Sequence, residues 1–171
     1  VSGLGGLLNK ISSSGLENTL REYKIEYKDK SINSIFSEFI NILSPNANTK
    51  EEVVGREALI ETLTELNELI ETTGEDSTYF DNLDDSKFNF IMNKYIENYV
   101  FAKFLNDLEY RAEKYAKSIE TVIQKEKDIK DFINYSVNNA TKDINFKSFN
   151  YNDLDAIEKI YRDCYKIWED E

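Results

Sequence analysis

The stretch 88-FNFIMNKYIENYVFAKFLNDL-108 decides the fold, because its apolar residues face every side of a helix. These residues are Phe88, Phe90, Ile91, Met92, Tyr95, Ile96, Tyr99, Val100, Phe101, Phe104, Leu105 and Leu108. A helix that is apolar all round is usually buried among other helices. We therefore predict a central helix here and expect Phe101 and Leu105 to be core residues.

Narrower apolar stripes with helical spacing flank this stretch on both sides. Capping-box sequences at Ser14–Glu17 and Thr49–Glu52 predict two helix starts, and Ser31 is predicted to begin another helix that ends at Ser44, before Pro45. The helix from Thr49 is expected to end near Gly74. Its predicted core residues are Val53, Leu59, Leu63, Leu66 and Ile70.

Further stripes follow the central helix. Two of them, around 115–123 and 129–137, are separated by KEKD at 125–128, where we expect a bend. A last helix is predicted from Asn152, with Leu154, Ile157, Tyr161, Cys164 and Trp168 on one face.

The predicted fold class is all-α, an irregular bundle of about six helices around a central hydrophobic helix. The strand-like segments YKIEY and INFKSF are too short and isolated to predict a sheet. We expect residues 1–15 to form a Gly/Ser-rich, flexible or loosely helical N-terminal segment and residues 16–171 to form one helical domain. Since the chain begins with Val1, we also expect it to follow a removed segment or to be part of a longer protein.

The charge of the chain argues against two classes of partner. With 21 basic and 33 acidic residues, the net charge is −12. Nucleic-acid backbones and anionic membranes are bound mainly through basic side chains. Neither is an expected direct partner, and the sequence shows no membrane span or signal peptide. A basic protein surface is the better candidate for a partner. We also expect the protein to be cytoplasmic.

The chain also lacks the common catalytic groups. It contains no histidine, which removes the most frequent general base and metal ligand. The single cysteine, Cys164, lies on an apolar stripe and is interpreted as a core residue. Asp84 and Asp85 are interpreted as helix caps rather than calcium ligands, because the EF-hand spacing is missing. We predict no enzymatic activity and no cofactor.

A column of glutamates marks one face of the helix that starts at Thr49. Glu57, Glu61, Glu65 and Glu68 are spaced by four, four and three residues, with no lysine among them. Such a row is most simply a solvated face. The alternatives are a surface for an Arg-rich partner or a carboxylate metal site that uses Glu61, Glu65 and acids of a second helix. Arg56, whose positive charge contrasts with this acidic helix, is expected to pair with Glu52 or Glu61, or to contact a partner.

The same region resembles the B component of the bacterial Qat anti-phage cassette, the QatB family. Members carry a proline-bearing loop and then a helix of the form T-x-[DE]-E-x-x-x-R-x-A-L-x-E-T-L. The matching residues are Pro45, Thr49, Glu51, Glu52, Arg56, Ala58, Leu59, Glu61, Thr62 and Leu63. The blocks at 95–108 and 129–140, and the Gly-rich start, are similar to the family as well.

This resemblance implies a helical subunit of an anti-phage system that works beside an ATPase, a QueC-like enzyme and a TatD-like nuclease. The ATPase and the QueC-like enzyme are then the expected protein partners. The leading hypothesis is a non-enzymatic protein-binding subunit whose candidate contact residues are Glu57, Glu61, Glu65, Glu68 and Arg56. The alternative is an acidic inhibitor or antitoxin that binds a basic nuclease or toxin. The sequence makes no prediction about the oligomeric state.

Overall fold

A computed structural model describes residues 2–75, 77–81, 83–112, 119–148 and 162, with side chains from 107 to 126 left out of the description. The described part contains six α-helices and no strand, which confirms the predicted all-α class. The helices are α1 (Ser2–Ser14), α2 (Leu16–Glu22), α3 (Ile32–Leu43), α4 (Lys50–Thr73), α5 (Asp85–Ala112) and α6 (Ile119–Thr141), with a short 3-10 helix at Ser77–Phe80.

The central position of α5 is confirmed, because it packs against α4, α6 and α1. Phe88, Met92, Val100 and Phe104 are fully buried along it. The expectation that α5 is buried on every side was wrong, however. Phe90 is 41% exposed and Leu105 is 37% exposed, and Phe101 is only partly buried. These three residues share one strip, because they are separated by 11 and 4 residues, or about three turns and one turn, and α4 and α6 leave this strip partly uncovered.

Helix α4 begins and ends where the sequence predicts. Thr49 and Glu52 form a complete capping box, and Gly74 ends the helix in the left-handed conformation that glycine adopts without strain. The predicted core face was correct except at Val53, which is 37% exposed. Val54 is buried in its place, since it continues the inward series of Ala58 and Thr62 at four-residue spacing.

The N-terminal segment is a regular helix whose apolar residues join the common core. Leu4, Leu7, Leu8 and Ile11 are all buried within the cluster that includes α5. The predicted capping box at Ser14–Glu17 was wrong, because α1 continues through Ser14 and Gly15 takes the cap position of α2 without a side-chain bond. Gly15 has a φ of 81°, which lets the chain turn between the two helices.

The starts of α3 and α5 were predicted correctly. Ser31 caps α3 by accepting the amide of Ser34, and Asp84 caps α5 by accepting the amide of Lys87 at 2.8 Å. Residues 125–128, where we expected a bend between two stripes, lie inside the single helix α6. The predicted last helix falls outside the described residues, apart from Arg162, which is helical and exposed. None of the described helices has the length and apolar content needed to cross a membrane.

Candidate docking groove

The glutamate column of α4 divides between solvent and a neighbouring helix. Glu57, Glu61 and Glu68 are exposed, whereas Glu65 is half-buried. Partial burial raises the pKa of Glu65, and the nearby carboxylates of Glu61 and Glu97 raise it further. Lys94 and a hydrogen bond from Asn98, both on α5, act in the opposite direction. Of the four glutamates, Glu65 therefore faces α5, whereas the other three are exposed to solvent.

A groove lies beside this column, where α4 and α6 flank the uncovered strip of α5. Its volume is about 370 Å³. Its principal lining residues are Glu57 and Glu61 from α4, Phe101, Leu105 and Asn106 from α5, and Lys130 from α6. The groove thus brings two of the five candidate contact residues together with the apolar residues that α5 leaves exposed.

The two walls of the groove carry opposite charges. On the α4 side, Glu57 and Glu61 are one helical turn apart, and Asn106 donates from Nδ2 to Glu57 Oε2 at 3.2 Å. On the α6 side, Lys130 Nζ lies 4.6 Å from the centre of the Phe101 ring. A cation at this distance is attracted to the face of the ring, so the lysine is held at the edge of the apolar floor.

A buried carboxylate joins α5 to α6 next to the groove. Glu97 is only 8% exposed. Its Oε2 lies 2.9 Å from Lys94 Nζ, and its Oε1 accepts bonds from Nδ2 of Asn134 at 3.0 Å and of Asn138 at 3.4 Å. Our sequence analysis missed this residue. The available signal was an acidic residue directly after the apolar pair Tyr95 and Ile96 in the predicted central helix, because an acidic residue is seldom buried without partners.

Arg56 contacts the end of α3, which the sequence did not predict. Its Nη1 donates to the carbonyl oxygen of Ser44, and its Nη2 lies 3.5 Å from Asn41 Oδ1. The predicted ion pair with Glu52 or Glu61 was wrong. Glu52 instead accepts the amides of Asn48 and Thr49. Since Ser44 ends α3, the guanidinium neutralises the negative end of that helix and fixes its junction with α4.

No group of three or more acidic, histidine or cysteine side chains in the described ranges could hold a metal ion. The metal alternative for Glu61 and Glu65 therefore gains no support from their surroundings. Among the described residues, the groove combines a carboxylate wall, an apolar floor and one lysine. Such a surface can bind a protein segment that carries both apolar and basic side chains.

Comparison with known protein families supplies the biological setting. A family model described as Qat anti-phage system associated protein QatB matches residues 1–168. The chain belongs to the QatB family. The match covers nearly the whole chain of 171 residues and confirms the resemblance inferred from the α4 motif. QatB membership makes the chain a component of an anti-phage defence system that has several components. No significant match was found among curated proteins or among solved structures.

Proposed function

We propose that the chain is a non-enzymatic, protein-binding subunit of its anti-phage defence complex. Its partners under this proposal are the ATPase and the QueC-like enzyme that the family resemblance implies. The chain contributes a rigid helical surface rather than a reactive group. Its role is to hold other components of the system together in a defined arrangement in the cytoplasm.

The observation that supports this proposal best is the uncovered strip of α5. Phe90, Phe101 and Leu105 are large apolar residues at or near the surface of a helix whose other sides are packed. Exposed apolar residues beside a charged rim are typical of protein contact sites. Since Glu57 and Glu61 form that rim on the α4 side, a basic partner surface is favoured.

Co-expression tests the proposal directly. The chain should be produced with the other proteins of its cassette, isolated through a tag on the chain, and weighed by native mass spectrometry. We expect a complex of fixed stoichiometry that contains the ATPase or the QueC-like enzyme. Elution of the chain by itself would reject the proposal and favour the alternative, an acidic inhibitor of a basic nuclease or toxin.

A further inference from the structure

The groove between α4 and α6 restricts the kind of segment that can occupy it. Every described lining residue belongs to the interior of a helix, where backbone N–H and C=O groups bond within the helix itself. Such walls offer no free backbone edge to an added β-strand. An α-helix fits such walls, because it satisfies its own backbone hydrogen bonds and can be recognised through its side chains.

The charges of the two walls determine which side chains each side of the bound helix can carry. Glu57 and Glu61 are spaced by one turn, so Lys or Arg side chains spaced by three or four residues can face both of them. On the other side, Lys130 is held over Phe101 and disfavours a second basic row. The floor, made by Phe101 and Leu105, requires an apolar stripe between the two sides.

Resting on the proposed function, we propose that the occupant is a basic amphipathic helix of a partner protein. Its apolar stripe lies on Phe101 and Leu105, its Lys or Arg row faces Glu57 and Glu61, and its third side is neutral or acidic where it passes Lys130. Under this proposal, only Glu57 and Glu61 of the glutamate column contact the partner. Glu68, two turns further along α4 than Glu61, lies outside the groove lining.

The first test uses the full chain and three synthetic helical peptides of about 18 residues, or five turns. One carries an apolar stripe flanked by lysine, the second has glutamate in place of that lysine, and the third keeps the lysine but has serine and glutamine in the stripe. Binding is followed by fluorescence anisotropy. We expect the chain to bind the first peptide and to bind each of the others at least about tenfold more weakly.

A charge reversal then locates the contact. Glu61→Lys is compared with Glu68→Lys, since both glutamates are exposed on α4 and both changes shift the net charge equally. We expect Glu61→Lys to lose its preference for the lysine peptide and gain affinity for the glutamate peptide. Glu68→Lys should keep the original preference. Equal losses in the two variants, or equal binding of the peptide without a stripe, overturn the proposal.

The assembled complex separates this inference from the proposed function. Leu105→Glu places a charge on the floor of the groove at a side chain that is already 37% exposed, so the fold should persist. We expect this change to release the partner from the co-expressed complex. If the complex forms and Leu105→Glu leaves it intact, the groove is not the contact and only this inference fails. If the unaltered chain forms no complex, the proposed function fails with it.

Discussion

At the scale of single residues, two neighbours on α5 differ most in what they contribute to stability. Phe104 is fully buried, whereas Leu105 is 37% exposed over the groove. We expect Phe104→Ala to lower the free energy of unfolding by about 3–5 kcal/mol, because it empties a packed core position. Leu105→Ala should cost less than about 1 kcal/mol. Urea denaturation of the two variants measures both values, and equal losses would contradict the placement of the groove.

Glu97 is a residue whose burial depends on its polar neighbours. Lys94, Asn134 and Asn138 all lie within hydrogen-bonding reach of its carboxylate. Glu97→Ala should lower the free energy of unfolding by about 1–3 kcal/mol, since these groups lose their common acceptor. Glu68→Ala, on the exposed face of α4, is the matched control and should change stability by less than about 0.5 kcal/mol. A similar effect of both changes would remove Glu97 as a link between α5 and α6.

Glu65 makes the stability of the fold depend on pH. Its pKa is raised, chiefly by partial burial, so the folded chain binds this proton more tightly than the unfolded chain does. Its contribution to stability is present when the carboxyl is protonated and is lost as the pH rises through the raised pKa. In urea denaturation from about pH 4 to about pH 7, Glu65→Gln should gain stability relative to the native chain as the pH rises. A constant difference between the two proteins would contradict this account.

At the scale of elements, the guanidinium of Arg56 supplements the packing between α3 and α4 at their junction. Arg56 donates to the carbonyl of Ser44 at the end of α3, and the bond is partly buried. Arg56→Met keeps much of the aliphatic stem but removes the charged donor. We expect a loss of about 1.5–3 kcal/mol in the free energy of unfolding. Peptide binding by the folded variant should be unchanged, and weaker binding at full folding would instead return Arg56 to the contact surface.

The helix boundaries were predictable because the signals that set them are local. Ser31, Thr49 with Glu52, Gly74 and Asp84 act on amides or backbone angles within a few residues, and the structure places each in its predicted role. Two expectations were wrong: α6 continues through 125–128, where a bend was expected, and no capping box forms in the Ser14–Glu17 sequence. Its serine was already the last residue of another helix, a fact that depends on the packing of Leu7, Leu8 and Ile11 rather than on the capping sequence.

The groove could be predicted only in part. The glutamate column was visible in the sequence, because its members repeat at helical spacing. The other residues that line the groove come from distant parts of the chain: Leu105 and Asn106 from α5, and Lys130 from α6. The packing of α4 and α6 against α5 determines which sides of α5 are buried. The apolar pattern of the α5 sequence does not predict that packing.

At the scale of the whole molecule, the core and the proposed contact surface share one helix. Helix α5 buries residues against α4, α6 and α1 and exposes its remaining strip between α4 and α6. Since the residues under the groove are fully buried, a partner meets a surface that is already formed. Binding then requires little rearrangement of the chain, which reduces the entropy lost on association.

The net charge of −12 should make association with a basic partner depend on the salt concentration. Attraction between an acidic chain and a basic partner is long-ranged but screened by salt, with a Debye length of about 10 Å at 0.1 M ionic strength. Association with the partner should therefore slow as salt is raised, while dissociation changes less because apolar contacts on Phe101 and Leu105 persist. Stopped-flow or surface-plasmon measurements at several salt concentrations separate the two rates.

Site-specific photo-crosslinking in the co-expressed defence complex shows whether the groove between α4 and α6 holds a helix of a partner protein. A photoreactive amino acid is placed at Leu105, on the floor of the groove, or at Tyr135, which is 69% exposed on α6 and outside the groove lining. We expect position 105 to crosslink to a basic amphipathic helix of a cassette protein and position 135 to give no such crosslink. Crosslinks from position 135 alone, in a complex of correct stoichiometry, would contradict this prediction.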